Sequence, residues 1–469
     1  MLNDRFEIGR RVKMFKKNIG KIGAIALSTG LVLSGLGVGT ADAAKPDWAG
    51  KGNGNNGNGK GNQKVENVIF MIPDGFSANY ASNYRAYKGE EAIWDKHLKG
   101  AFTTYSANSD ITDSAAAGTA MATGEKTNNG VIGLDPEGNE LKTILESSQE
   151  KGKASGLVAT STISHATPAA FASHVGSRNN ETEIARQLLS NEVDVILGGG
   201  KNNFLPASQG GNQEEVDLIG QAEEQGYEFV ETRDALLENN DIDVEDGEKL
   251  LGLFAEDALS PELHRGETEE PSIAEMTESA IDVLEEDKDG FFLVVEGSQI
   301  DWAGHDNDAA WAMSDVAAFE ESVEEAIEFA EEDGETLVVV AGDHDTGGMT
   351  TGSNGQMDLN AAVLQNVTAT EDHMAAQLNE DRSNVNEVVN TYTGFELTEE
   401  ETQHIQEAKD ASLAINKVVS DRATIGWTST NHTGADIPVF AYGPQSEKFV
   451  GFHDNTDLPK IMLEAMKLK

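Results

Sequence analysis

The run NVIFMIP, residues 67–73, decides the fold. It is apolar almost without a break, and Pro73 closes it. A strand with one wet face alternates apolar and polar residues. A continuous run instead reads as a strand buried on both faces, the habit of parallel sheets covered by helices. Five further runs share the pattern: ASGLVAT (154–160), VDVILGGG (193–200), FFLVVEG (291–297), TLVVVAG (336–342) and IPVFAYG (437–443). Helical patterns such as TEIARQLLSNE and SIAEMTESAIDVLEED fall between them, as crossover connections require. The expectation is an α/β protein with a large, mostly parallel sheet flanked by helices on both faces.

The segments around this pattern read differently. Residues 10–21 are basic, residues 22–39 are apolar with small side chains, and TADAA (40–44) offers an A-x-A cleavage site. Residues 1–44 are therefore expected to be a signal peptide, with cleavage near Ala43 or Ala44, no membrane span in the mature chain, and a secreted or periplasmic product. Residues 45–64, rich in Gly and Asn, read as a linker, and residues 65–469 as the folded domain. Residues 201–270 read as acidic and irregular. Residues 353–425 read as a helical insertion over the mouth of the sheet, with a capping box in TEEE (398–401).

The 82 acidic residues outnumber the 34 basic ones and leave a net charge of −48. Such a surface repels a polyanionic duplex, so nucleic acid is not an expected partner. It suits concentrated salt, because at 1 M the screening length falls to about 3 Å and relieves self-repulsion. A salt-adapted, halophilic protein is the reading. With no cysteine in the chain, disulfides, thiol nucleophiles and Cys–zinc sites are excluded.

The residues that follow the strand runs carry the chemistry. Asp74 follows the first run; His165 and Thr167 follow the second; Glu296 ends FFLVVE, with Asp301 and His305 just beyond; Asp343 and His344 follow TLVVVAG. Open α/β sheets bind ligands beyond the carboxyl ends of their strands. Clustered carboxylates raise one another's pKa and call for a cation, and Asp with His suits zinc. DWAGH spaces Asp301 and His305 by four, one face of a helical turn, and NHTG adds His432 before the last run. In DITDSAAAGTAMATG (110–124), Ser114 stands ahead of tiny side chains that leave room around one hydroxyl. EEDKDGFFLVVE (285–296) approaches a calcium-loop spacing, but Glu285 stands first and a strand follows, so it reads as a turn.

The motifs IPDG, TDSAAAGTAMATG, ATPAAF, HVGSR, VEGSQIDWAGH, VVAGDHDTGG and NHTG, in that order, resemble those of the alkaline phosphatases over nearly the whole chain after the linker. The resemblance implies the corresponding fold and a phosphomonoesterase working through a phosphoserine on Ser114. It implies one zinc held by Asp74, Asp343 and His344, and a second held by Asp301, His305 and His432. A third ion, usually magnesium, would lie on Asp74, Thr167 and Glu296. Arg178 would clamp two phosphate oxygens, steadied by Asp113, and a homodimer is implied.

His165 and Trp302 stand where some relatives carry Asp and Lys. An imidazole there favours zinc or cobalt over magnesium, so a looser third site and a less tightly held phosphate are expected. The Trp302 ring reads as a wall of the site. The expected substrates are small phosphomonoesters. Two alternatives stay open: a phosphodiesterase or sulfatase of the same superfamily, and a non-catalytic, acidic, calcium-binding surface protein.

Overall fold

The computed structural model describes residues 64–238 and 242–468. The expected signal segment (1–44), and the expected linker up to its last residue, lie outside them. The main sheet has ten strands: β1 (Asn67–Pro73), β2 (Leu98–Thr103), β3 (Ala154–Thr162), β4 (Val195–Gly199), β5 (Tyr227–Val230), β6 (Lys249–Leu253), β7 (Phe291–Gly297), β8 (Thr336–Ala341), β9 (Ile437–Tyr442) and β10 (Gly451–Asp454). Their order is β10-β2-β9-β8-β1-β7-β3-β4-β6-β5.

Every residue of β1, β7 and β8 is buried. Ile69 and Met71 of β1 join Leu293, Val295, Val338 and Val340 in one core. Val68, Phe70 and Ile72 join Phe292, Val294, Leu337 and Val339 in the other. Helices 273–284 and 309–333 cover the first face with Met276, Ile281, Met313 and Phe319. Helices 114–123, 166–172 and 181–190 cover the second with Met121, Phe171 and Leu188. Each fully buried Val, Leu, Ile, Phe or Met contributes about 1.5–3 kcal/mol of transfer free energy. The unbroken apolar runs are thus explained by a sheet without a wet central face.

Four strands fall outside the six apolar runs. β2 (LKGAFT) is largely half-exposed, and β10 (GFHD) is an edge strand without a buried residue. Backbone pairing rather than side-chain burial holds such strands, so no periodic signal marks them. The stretch 201–270, read as irregular, contributes β5 and β6, short strands embedded in acidic sequence that extend the sheet beyond β4. β9 runs antiparallel to both β2 and β8, while the other pairings are parallel. The start of β9 therefore lies at the edge where β2 and β8 end. That places the loop bearing His432 beside His344 and Asp301, which a parallel β9 would not do.

Residues 353–425 form helices Glu371–Ala376, Val385–Thr393, Glu399–Glu407 and Ala411–Ala423. Thr398 and Glu401 form a reciprocal capping box. Asn416 Nδ2 donates to the Asp306 carbonyl (2.7 Å), one residue beyond His305. Among the described residues no helix is long and apolar enough to cross a membrane.

The helix Ser114–Thr123 is buried from Ser114 to Ala122 and packs on helix 166–172. Its tiny side chains follow from that: a Cβ built on Gly118 falls 2.9 Å from Ala170 Cβ. Gly118→Ala should force the two helices apart at a cost of about 1–3 kcal/mol. A thermal or denaturant unfolding curve that matches the unsubstituted protein would show that the contact yields freely.

Candidate metal centre and nucleophile

Four strand ends and one strand start deliver the polar residues. Asp74 leaves β1, Glu296 lies within the end of β7, and Asp343 and His344 follow β8; all are at most 1% exposed. Helix 299–305 begins two residues after β7 and carries Asp301 and His305 one turn apart. His165 caps the helix Ala166–Ala172, which carries Thr167, after β3. A two-residue ladder pairs His432–Thr433 with Asp345–Thr346 and so ties His432 to the loop after β8.

Three groups of acids and imidazoles converge there: Asp74, Asp343 and His344; Asp301, His344 and His432; and Asp74, His165 and Glu296. The spacings have a specific meaning. Ligand atoms about 2.0–2.2 Å from a tetrahedral zinc stand roughly 3.3–3.6 Å from one another. In the first group His344 Nε2 lies 3.1 Å from Asp343 Oδ2, 3.6 Å from Asp74 Oδ1 and 3.2 Å from Ser114 Oγ. Around Asp301, His305 Nε2 lies 3.4 Å from Oδ2, His432 Nε2 lies 3.5 Å from Oδ1, and the two imidazole nitrogens are 3.2 Å apart. These are the edges of two small polyhedra. Asp74 Oδ1, Asp343 Oδ2 and Glu296 Oε1 are buried without a hydrogen-bond partner. A buried, unpaired carboxylate oxygen costs several kcal/mol unless a cation meets it. The donor set fits divalent ions.

The electrostatics say the same. Burial, then Asp343, Asp301 and Glu296, pushes the Asp74 carboxyl well above the usual range. Burial lifts Glu296 to about 7. The hydrogen bond with Asp301 raises His305 to about 9. Burial would raise Asp301, but His305, His344 and His432 outweigh it and hold that carboxyl low. Burial, then His344, drops His432 to about 4.

The backbone sets the tautomers. His305 Nδ1 meets the Thr430 carbonyl at 2.7 Å, and His432 Nδ1 meets the Thr112 carbonyl at 2.8 Å. A carbonyl only accepts, so Nδ1 carries the proton and Nε2 is left with the lone pair a metal needs. Thr346 Oγ1 bonds Asp301 Oδ1 and lies 3.3 Å from His344 Nδ1. Thr112, Thr346 and Thr430 carry no sequence signal of this role, since a carbonyl or a lone hydroxyl does the bonding.

Ser114 is covered rather than open. It is 1% exposed and lies under the His344 imidazole, not within apolar packing. Asp113 caps its helix by accepting the Ala116 N–H at 3.0 Å. The other Asp113 oxygen accepts from Arg178 Nη1 at 3.1 Å. Arg178 Nη2 lies 2.9 Å from His165 Nε2. Guanidinium only donates, so the imidazole accepts there and His165 Nδ1 carries its proton. Trp302 meets His165 edge-on at 5.8 Å between ring centres. Thr167 Oγ1 lies 3.4 Å from Asp74 Oδ2. All the residues singled out from the sequence thus gather at one edge of the sheet. His344 touches both cation groups, and His165 joins Asp74 and Glu296.

Fold and site together define a class: an α/β protein with a serine hydroxyl set against a buried cluster of acids and imidazoles at the spacing of divalent-cation ligands. The alkaline phosphatase family profile matches residues 65–468. Alkaline phosphatase 4 of Bacillus subtilis is 42% identical over 86% of this chain and 89% of its own length. The crystal structure of Thermus thermophilus alkaline phosphatase superposes with a TM-score of 0.79 at 30% identity, over 87% of this chain and 93% of that one. A TAB5 alkaline phosphatase variant with Mg bound in its M3 site does so with a TM-score of 0.65 at 28% identity, over 86% of this chain and 99% of that one. The chain belongs to the alkaline phosphatase family, and it is a phosphomonoester hydrolase.

If the clustered acids hold cations, chelation must leave like charges facing one another. Treatment with a chelator should lower the melting temperature by several degrees, and zinc should restore it. Zinc affinity should also fall as the pH drops through about 9, because His305 then takes up a proton that a metal must displace. Calorimetric titration in buffers of different ionisation enthalpy reads the released protons. A melting curve blind to the chelator would count against the cation reading.

Proposed function

We propose that this enzyme hydrolyses phosphate monoesters through a phosphoserine on Ser114, at a site for two zinc ions and one magnesium ion. The observation that carries the reading is the 3.2 Å separation of Ser114 Oγ and His344 Nε2, which puts the hydroxyl at a corner of the first polyhedron. Asp74, Asp343 and His344 would hold one zinc, and Asp301, His305 and His432 the other. Asp74, Thr167 and Glu296 would hold the magnesium, with His165 close by. The ions, when bound, supply positive charge at the attacking and leaving oxygens.

The chain's own residues do the rest. Ser114 Oγ loses its proton to solvent and bonds to phosphorus, while the ester oxygen leaves with its electron pair and becomes the alcohol. Water then attacks the same phosphorus, Ser114 Oγ leaves, and inorganic phosphate departs. Arg178 spends one N–H of each Nη on Asp113 and His165. Each Nη keeps a second N–H, so the planar fork can hold two phosphate oxygens. Trp302 walls the site beside His165.

The chain is proposed to be exported, on the strength of its basic and apolar first 44 residues, and adapted to salt, on the strength of its −48 charge. A strongly anionic surface repels an anionic substrate until salt screens it.

Three measurements test this. Ser114→Ala should lower kcat by at least about a thousandfold, and mass spectrometry after a brief acid quench should find phosphate on Ser114 only in the unsubstituted enzyme. Near-normal turnover in the variant would refute the nucleophile. Activity on anionic monoesters should rise from low to molar salt; a flat or falling profile would remove the salt adaptation. The amino terminus of protein recovered from the medium should begin near Ala44, and an intact Met1 would end the export reading.

A further inference from the structure

The loop between helix 114–123 and helix 144–149 contains Asn129 and Gly130, and its bonds converge on the two ends of the proposed phosphate clamp. Gly130 N–H donates to Asp113 Oδ2 at 2.9 Å, the same oxygen that receives Arg178 Nη1. The Gly130 carbonyl accepts the Arg178 backbone N–H at 2.8 Å. One residue therefore fixes both the main chain from which Arg178 rises and the carboxylate that aims its guanidinium. Asn129 holds the other side of Asp113: its Oδ1 accepts the Asp113 N–H at 3.2 Å, and its Nδ2 donates to the Ile111 carbonyl at 3.0 Å. The ladder continues past the turn, where Ile132 and Val175 exchange both backbone bonds at 3.0 and 2.9 Å.

The glycine is required by conformation rather than space. Gly130 has φ +84°, and a Cβ built there meets nothing within 4 Å. A left-handed residue at this turn lets the N–H and the carbonyl of one position point at two different segments. Neither residue touches Ser114 or a cation ligand through any of these bonds, other than by way of Asp113.

We propose that the Asn129–Gly130 turn is the positioning element of the phosphate clamp: it sets the distance between Ser114 and the Arg178 guanidinium by bonding both segments at once. The inference rests on the reading of Arg178 as the group that holds phosphate. Asn129 and Gly130 are positioning residues and act on the reaction only through Arg178.

The test is a double-substitution cycle on the metal-loaded enzyme, read as the inhibition constant of inorganic phosphate and as KM and kcat for an aryl phosphate. Asn129→Ala should raise the phosphate inhibition constant about threefold to tenfold, the worth of one or two hydrogen bonds, with metal content and melting temperature held. Gly130→Ala should act in the same direction, because a side chain strains the left-handed turn without a clash. In the Arg178→Ala background both substitutions should have no further effect, since no guanidinium remains to misplace. Equal factors in the two backgrounds, or no change from either substitution alone, overturn the proposal. Should Arg178→Ala itself leave phosphate inhibition untouched, the clamp reading beneath it fails instead, and the two failures are distinguishable.

Discussion

Four carboxylates cannot share one buried edge of a sheet by themselves. Two unit charges 4 Å apart repel by about 4 kcal/mol even at an effective dielectric of about 20. Asp74, Glu296, Asp301 and Asp343 all lie below 5% exposure, and three of them keep an oxygen with no hydrogen-bond partner. Divalent cations resolve this conflict, and much of the site can be understood as the scaffolding that holds those charges at ligand spacing. The same constraint explains why imidazoles accompany the acids. A neutral ring adds a ligand atom without adding another negative charge.

Three consecutive residues show how densely the scaffold is used. The Thr112 carbonyl holds His432 by its Nδ1. Asp113 caps the helix, and its second oxygen takes Arg178. Ser114 sets its hydroxyl against His344. One turn of chain thus touches both cation groups and the guanidinium, so a small displacement of the helix start would be felt at all three. The tiny side chains behind it make that start rigid by close packing against helix 166–172 rather than by leaving it exposed.

The surface and the site place opposite demands on charge. The chain carries −48 overall, yet its substrate is a phosphate ester. Attraction must come from a short-range, directional source. On the proposed function, the second N–H of each Arg178 Nη and the cations held near His344 and Asp301 would provide one, inside a surface that salt can screen.

By itself the sequence determined that the core strands are buried on both faces, because unbroken apolar runs leave no side for water. It also determined which acids and imidazoles gather at one edge of the sheet, because such residues directly after the runs can only stand at a strand end or in the loop beyond it. It left β2, β5 and β10 unmarked, since those strands are short, half-exposed or held by backbone bonds that no side-chain pattern reports, and it passed over β6, whose few leucines are set in acidic sequence. Only the tertiary structure decided that β9 runs antiparallel. That reversal brings His432 to the right edge, and direction within a sheet is a property of long-range pairing. Only the tertiary structure, too, chose the tautomers of His305 and His432 and the bracing of Arg178 by Gly130. Carbonyl and N–H groups are common to nearly every residue, so their use is settled by where the folded chain puts them.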